Sequence, residues 1–342
     1  MSRVITFGEV MLRFNPEGYL RIVQAEKFEV NLAGGEANVA VSLANYGAEA
    51  SFVTKVPTHE IGDYVIREMR RNGVDTKDIV RGGARLGTFY LEKGASQRAS
   101  KVIYDRANSA IAEADPKEFA WEKIFEGADW FHFTGITPAL SKNMADACLD
   151  ACKKAKEMGL TISCDLNYRS KLWSREEAGK VMSELVKYVD VCIANEEDAA
   201  DVFGIHAAHT DIHGGKLDYD AYIDVARQLK DRFGLKKVAI TLRGSISASR
   251  NTWAGMLYDA ETDKAEFSRE YDIQIVDRVG GGDSFGGGLI YALTEKYDDE
   301  RAIQFAVAAS CLKHTIEHDF NLVRIKEVEA LAGGNGSGRV QR

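Results

Sequence analysis

The chain has 342 residues, and its 44 lysines and arginines against 52 aspartates and glutamates give a formal net charge of −8. This acidity argues against a nucleic-acid partner, because a protein that holds a phosphate backbone presents a surplus of basic residues. Hydrophobic residues make up 45% of the chain and charged residues 28%, which excludes a disordered or fibrous protein and allows a large folded core.

Short apolar segments alternate with amphipathic segments along most of the chain. Strand character is found at 4–7, 51–56, 130–133, 160–164, 189–193 and 237–242. Helical periodicity is found at 36–47, 60–72, 141–158, 175–187, 196–203 and 219–233. The alternation predicts an α/β fold of three layers, with a mostly parallel central sheet between helices. In such sheets, ligands bind beyond the carboxyl ends of the strands.

Two segments interrupt this rhythm and predict a small β-sheet lid. Residues 11–30 and 85–106 both contain strand-like stretches with alternating side chains. We therefore expect one domain over 1–330 that carries this lid, followed by a flexible, glycine-rich tail over 331–342. Exposed strand edges often pair with another subunit, so we also expect a homo-oligomer formed through the lid.

Composition also indicates where the protein works. No apolar run reaches the roughly 18 residues that a membrane span needs, and the first residues lack the apolar core of a signal peptide. The five cysteines are an odd number and favour buried, reduced thiols over disulfides. We expect a cytoplasmic protein without a membrane partner.

Two groups of residues have metal-ligating side chains. Cys148 and Cys152 lie four residues apart on a predicted helix, but no partner motif stands at ligand spacing. His206, His209 and His213 lie in a polar insertion, 204–218. We interpret the cysteines as buried thiols and the insertion as a solvated loop, with a three-histidine metal site as the alternative.

The most informative segment is 277–288, DRVGGGDSFGGG, which stands directly before an apolar helical segment. Consecutive glycines before a helix let backbone N–H groups point at an anion, and the helix dipole adds to the attraction. An acid at this place, Asp283, would repel that anion unless it accepts the proton of a hydroxyl that attacks phosphorus. A helix N-cap is the alternative role for Asp283.

Other phosphate-binding motifs fit less well. The chain contains no Walker A string. The glycine cluster matches a dinucleotide fingerprint only loosely, because it lies near the C-terminus and lacks the acidic residue after the next strand. A nicotinamide-dependent dehydrogenase is therefore disfavoured.

Segment 277–288 resembles the C-terminal signature of the ribokinase-like (PfkB) carbohydrate kinases, with Arg278 and Gly281 in place of the usual threonine and alanine. The sequence GGEANVA, with Gly34, Gly35 and Asn38, resembles the family's sugar-binding glycine pair and asparagine. The resemblance extends over about 1–330 and implies the ribokinase-like fold.

Family resemblance also implies roles for individual residues. It makes Asp283 the catalytic base, and the amides of Gly280, Gly281 and Gly282 the anion hole for the γ-phosphate of ATP. It compares 195–198, NEED, with the family's Asn-x-x-Glu motif near the phosphates and Mg²⁺, and so assigns Asp198 to the metal. The nucleotide-binding residues that it implies are Asn167, Arg169, Asn195, Thr241, Arg243 and Gly244.

Within the family, the sequence most resembles the 2-keto-3-deoxygluconate kinases, through residues 8–14, 90, 104–106, 165–169, 172–173 and 318–320. A substrate with a carboxylate calls for an arginine, whose planar guanidinium donates two parallel hydrogen bonds. The resemblance implies the following substrate contacts: Arg106 to the carboxylate, Tyr90 and Tyr104 as hydroxyl donors, Asp319 to a substrate hydroxyl, and Arg169 to the acid or to a phosphate.

The sequence thus predicts a Mg²⁺- and ATP-dependent kinase that phosphorylates the terminal hydroxyl of 2-keto-3-deoxygluconate. A kinase of a neutral sugar such as fructose or ribose, or of a nucleoside, is the alternative, which Arg106 disfavours. A catalytically silent sugar-binding protein is a third hypothesis, and Asp283 beside three glycines counts against it.

Overall fold

A computed structural model describes residues 2–195, 197–206, 219–336 and 338. Its strands are β1 (Arg3–Phe7), β2 (Met11–Asn15), β3 (Glu29–Ala33), β4 (Glu49–Val53), β5 (Lys55–Val56), β6 (Val80–Arg81), β7 (Gly87–Glu92), β8 (Lys101–Asp105), β9 (Trp130–Thr134), β10 (Thr161–Asp165), β11 (Val191–Asn195), β12 (Lys237–Ser247), β13 (Arg250–Asp259), β14 (Lys264–Phe267) and β15 (Tyr271–Gln274). Its α-helices are α1 (Gly35–Asn45), α2 (Glu60–Arg71), α3 (Trp121–Ile124), α4 (Ile136–Ala139), α5 (Lys142–Glu157), α6 (Arg175–Leu185), α7 (Asp198–Phe203), α8 (Tyr219–Phe233), α9 (Gly281–Thr294), α10 (Asp299–Lys313) and α11 (Ile325–Ala332).

A large central sheet organises the molecule. Its strand order is β14-β13-β12-β11-β10-β9-β1-β4, and β15 pairs with β13. The strands from β12 to β4 are parallel, whereas β13, β14 and β15 add antiparallel pairings at one edge. The predicted α/β fold with a mostly parallel sheet is confirmed.

Alternating side chains bury both faces of this sheet. On β1, Ile5 belongs to a hydrophobic core with residues of α5, α6 and α8, and its neighbour Val4 belongs to the opposite core with residues of α1, α9 and α10. Successive strand residues point to opposite faces, so each buried strand contributes to both cores. The result is the expected three-layer arrangement.

A second sheet, with strand order β3-β2-β7-β8, forms from the two segments that interrupt the βα alternation. Met11, Ala33, Phe89 and Leu91 form a small core on it, and Val279 of the glycine-rich segment packs against that core. The predicted small sheet is therefore present, and it lies directly over the glycine-rich segment.

Several details outside the site also bear on the predictions. Cys148 and Cys152 are buried free thiols on α5, and burial raises their pKa. Among the described residues, no cluster of three or more histidine, cysteine or acidic side chains could hold a metal. His209 and His213 lie outside the described residues. Helix α11 continues through Leu331 and Ala332, the first two residues of the predicted tail.

In the part of the chain that the structure describes, no helix has the length and apolar character to cross a membrane.

Candidate active site

A cavity of about 380 Å³ lies where the central sheet meets the small sheet. Its floor includes residues at the carboxyl ends of parallel strands, such as Asp165, the last residue of β10, and Asn195, the last residue of β11. Its roof includes Phe89 and Tyr104 from the small sheet. The cavity therefore lies at the strand ends, where the fold class places ligands.

The glycine-rich turn and Asp283 meet at one wall of this cavity. Gly280 is the N-cap of α9 and has a φ of 82°, and Gly281, Gly282 and Asp283 form the first turn of the helix. Asp283 Oδ2 accepts a 2.6 Å hydrogen bond from Asn38 Nδ2. The capping position is occupied by Gly280, so Asp283 is not the N-cap, and its carboxylate faces the cavity instead of closing the helix.

Asp283 has the electrostatic properties of a base that works near neutral pH. Burial raises the pKa of Asp283 to about 6, the hydrogen bond from Asn38 opposes this rise, the charge of Asp319 adds to it, and the charges of Arg169 and Lys313 lower it. A pKa near the working pH suits a group that must be ionised and still accept a proton.

Gly34 and Gly35 shape the cavity beside Asp283. A Cβ at Gly34 would stand 2.1 Å from the carbonyl oxygen of Glu9, and a Cβ at Gly35 would stand 3.5 Å from Asp283 Oδ1. The first position admits no side chain, and a larger side chain at the second would fill the space in front of the carboxylate. The pair therefore leaves room for a ligand next to Asp283.

Arg106 and Tyr104 line the cavity from the small sheet. Arg106 Nε donates to Glu9 Oε2 at 2.8 Å, Nη2 donates to the same oxygen, and Ser109 Oγ donates to Glu9 Oε1 at 2.7 Å. The guanidinium also lies 5.4 Å from the centre of the Tyr104 ring. Glu9 lies two residues after the end of β1 and fixes the orientation of Arg106 through these hydrogen bonds. The sequence analysis did not assign Glu9 to the site.

Tyr90 requires a correction. Its ring lies 5.2 Å from that of Phe14 and 5.6 Å from that of Phe28, on the face of the small sheet that points away from the cavity. Its neighbour Phe89 lines the cavity instead. Adjacent strand residues point to opposite faces, so the two residues cannot share one side.

Most of the residues predicted for the nucleotide also line the cavity: Asn167, Arg169, Asn195, Thr241 and Arg243. Gly244 is the exception and a second correction. It pairs with Thr252 inside the β12–β13 ladder, where a Cβ would stand 2.3 Å from Thr252 Oγ1. Strand β12 continues through Ser247, so Gly244 lies inside a strand and not among the residues that line the cavity. Arg278, which sequence reasoning did not assign to the site, does line the cavity.

Two carboxylates, Asp165 and Asp198, line the cavity together with the predicted nucleotide-binding residues. Asp198 accepts backbone hydrogen bonds of 3.0 Å from Tyr168 and from Asn195. Burial raises the pKa of Asp165 well above its usual value, and the charges of Asp198 and Asp283 raise it further. Mg²⁺ is commonly held by one or two carboxylates together with substrate phosphates. Asp165 and Asp198 fit that donor set, and Asp165 could have been found as an acid ending a buried parallel strand.

Asp319 completes the wall next to the glycine-rich turn. Its Oδ2 accepts from Arg13 Nη1, and its Oδ1 is buried without a hydrogen-bond partner among the described residues. Asp319 lines the cavity. A donor on a bound ligand would satisfy this oxygen.

Gly280→Ala should disable the anion-binding turn. An alanine Cβ would stand 2.1 Å from the carbonyl oxygen of Asp319 at a φ of 82°, so the turn must move. Losing such donors typically lowers kcat about 10²–10³-fold. Gly127→Ala is the matched control, because Gly127 has a φ of 69° with open space around it. Steady-state kinetics should show a loss only for Gly280→Ala, and equal kcat values would contradict the role of the turn.

Comparison with known proteins identifies the family. Residues 1–317 match the model of the pfkB family carbohydrate kinase. The chain is 34% identical to the 2-dehydro-3-deoxygalactonokinase of Haloferax volcanii over 337 residues, 98% of each chain. It is 29% identical to the 2-dehydro-3-deoxygluconokinase of Bacillus subtilis over 311 residues, which cover 90% of this chain and 88% of the relative.

Among solved structures, the crystal structure of the 2-dehydro-3-deoxygluconokinase of Thermotoga maritima is 50% identical in sequence and superposes with a TM-score of 0.94. The match covers 98% of this chain and 100% of that one. With the glycine-rich turn, the half-buried acid in it and the small sheet above them, these likenesses establish that the chain belongs to the pfkB family of carbohydrate kinases and is a phosphotransferase acting on a sugar hydroxyl.

Proposed function

We propose that this kinase transfers the γ-phosphate of ATP to the terminal hydroxyl of 2-keto-3-deoxygluconate. The observation that carries the proposal is the content of one cavity. Asp283 and the Gly280–Gly282 turn lie on one wall, and Arg106, directly after β8 of the small sheet, lines the cavity with them. The names of the relatives from Bacillus subtilis and Thermotoga maritima support the same substrate.

The chemistry follows from the positions of the groups. Asp283 accepts the proton of the attacking hydroxyl while a bond forms between that oxygen and the γ-phosphorus. The bond from the γ-phosphorus to the bridging oxygen breaks, and ADP leaves. Amides of the Gly280–Gly282 turn and the N-terminus of α9 stabilise the charge on the transferring group. Asn38 holds the Asp283 carboxylate in place by its 2.6 Å hydrogen bond.

Nucleotide and metal are assigned to other residues that line the same cavity. Cationic side chains of Arg169, Arg243 and Arg278 line it and would attract the polyphosphate. The remaining nucleotide residues in this proposal are Asn167, Asn195 and Thr241. Asp165 and Asp198 would hold Mg²⁺, which neutralises phosphate charge when it is bound.

Asp283→Asn should abolish most of the phosphoryl transfer, because a carboxamide keeps the shape but cannot take the proton. The expected loss in kcat is about 10²–10⁴-fold. In the unaltered enzyme, kcat/KM should fall as the pH drops through about 6, where Asp283 becomes protonated. The variant's residual rate should lack this acid limb. A variant with near-normal kcat would refute the role of Asp283 as base.

Arg106→Leu tests the substrate class. ADP release is measured for 2-keto-3-deoxygluconate, its galactonate counterpart, fructose and ribose. The unaltered enzyme should prefer a sugar acid. In the variant, kcat/KM for the acid should fall roughly 10- to 150-fold, which corresponds to the loss of one hydrogen bond to a charged group. The weaker rate on neutral sugars should hardly change.

Arg106→Leu also leaves the buried Glu9 without its cation. The paired variant Glu9→Gln with Arg106→Leu therefore serves as the control. If kcat/KM falls selectively for the sugar acid in both variants, the fall is assigned to the lost contact between Arg106 and the substrate. Equal losses for acid and neutral sugars would contradict carboxylate recognition by Arg106.

We also propose a homo-oligomer that forms through the outer face of the small sheet. Phe14, Phe28 and Tyr90 cluster there, beside Val30 and Ile103, which are 45% and 44% exposed. Apolar side chains grouped on a sheet face are typical of an interface.

Ile103→Lys should convert the oligomer to monomers in sedimentation velocity, because a charge buried between subunits is costly. Met158→Lys, at a 37% exposed position after α5, should leave the assembly unchanged. A monomeric unaltered protein would refute the interface.

A further inference from the structure

A fully buried arginine joins the small sheet to the glycine-rich turn. Arg13 lies on β2, and its Nη2 and Nη1 donate to Asp277 Oδ2 and Asp319 Oδ2, each at 2.5 Å. The third nitrogen, Nε, donates to Asn15 Oδ1. One guanidinium thus bridges two carboxylates that come from two different segments of the main body.

The first of these carboxylates supports the anion-binding turn. Asp277 Oδ1 accepts a 3.1 Å hydrogen bond from the backbone N–H of Val279, the residue directly before Gly280. The carbonyl oxygen of Asp277 accepts from Lys313 Nζ at 3.4 Å, and Lys313 is also fully buried. The segment that leads into the turn is therefore held by two buried cations.

The second carboxylate faces the ligand. Asp319 Oδ2 accepts from Arg13 and, at 3.3 Å, from Asn31 Nδ2. Its Oδ1 is left for a ligand, as described above. The carbonyl oxygen of Asp319 lies against Gly280, where it fills the space that a Cβ would need. Asp319 thus contacts both the cavity and the turn.

We propose that Arg13 is a positioning residue that couples sugar binding at Asp319 to the shape of the Gly280–Gly282 turn. The inference rests on the proposed function, because it takes a hydroxyl of the sugar as the donor to Asp319 Oδ1. The planar fork of a guanidinium fixes both carboxylates relative to each other. A sugar that immobilises Asp319 therefore also immobilises Asp277 and the start of the turn. Strand β2 is then part of the transfer site and not only a cover over it.

Arg13→Lys is the test variant, because it keeps the buried charge and removes the fork. An ammonium group is a single point of charge and cannot hold both carboxylates in the same geometry. The KM for the sugar acid should rise and kcat should fall, with a combined loss in kcat/KM of about 10- to 100-fold. The matched control is Arg227→Lys, which alters an exposed pair in which Nε and Nη2 both donate to Asp263. That control should leave both constants unchanged.

A merely structural role would lower the unfolding temperature of Arg13→Lys without a specific kinetic pattern, so a double-mutant cycle is required. Asp319→Asn is combined with Arg13→Lys, and all variants are assayed well below their unfolding temperatures. If Arg13 acts through Asp319, the rise in KM caused by Arg13→Lys disappears in the Asp319→Asn background, and the fall in kcat that runs through Asp277 remains. Effects on KM that multiply in the double variant would overturn the coupling.

A measurement on the free enzyme separates this inference from the identity of the substrate. Arg13→Lys should speed hydrogen exchange at the Val279 amide, because its acceptor Asp277 is less firmly held. An unaltered enzyme that does not phosphorylate 2-keto-3-deoxygluconate would refute the proposed substrate. The double-mutant cycle is then run with whichever sugar of the substrate panel is phosphorylated best. Unchanged exchange at Val279 in folded Arg13→Lys would overturn the role of Arg13, whichever sugar is used.

Discussion

A carboxylate that acts as a base next to a polyanion must be negatively charged before it accepts the proton, and the architecture around Asp283, the proposed base, resolves this conflict. The carboxylate lies half-buried in the first turn of α9, where the helix N-terminus favours negative charge. Two fully buried carboxylates, Asp277 and Asp319, lie close by and are balanced by the buried cations Arg13 and Lys313. Since an unpaired buried charge is strongly destabilising, this arrangement requires β2, the turn and α10 to come together in one geometry.

Sequence periodicity was sufficient for the central sheet because its parallel strands are buried on both faces and appear as continuous apolar runs. It was insufficient at the edge, where β13, β14 and β15 form antiparallel pairs and where β14 and β15 are partly exposed. The prediction for Gly244 failed there because an antiparallel partner prolongs β12. The prediction for Tyr90 failed for a related reason. Side chains alternate between the two faces of a strand, so an assignment that is offset by one residue places the side chain on the wrong face of the sheet.

The parts of the candidate site that the sequence could predict are those that lie together in the chain. Gly280 to Asp283 form one turn, and Gly34 to Asn38 form another, so local pattern and family resemblance were enough to find them. The contacts that position them join distant segments, such as Arg13 to Asp319 across 306 residues and Arg106 to Glu9 across 97. No spacing rule connects such residues, because only the packing of the small sheet on the main body brings them within hydrogen-bond distance.

If Arg106 binds the substrate carboxylate as we propose, its pairing with Glu9 limits how strongly the enzyme can favour a sugar acid. With no ligand, Glu9 spares the partly buried guanidinium from being an uncompensated charge and holds it in one orientation. The same pairing reduces the attraction that remains for a substrate carboxylate, because two anions then share one cation. A neutral sugar leaves the pair as it is. Under the proposed contact between Arg106 and the substrate carboxylate, selectivity for the acid depends on hydrogen-bond geometry at a preorganised guanidinium more than on net charge, so exchanging Arg106 for lysine would not be a conservative change.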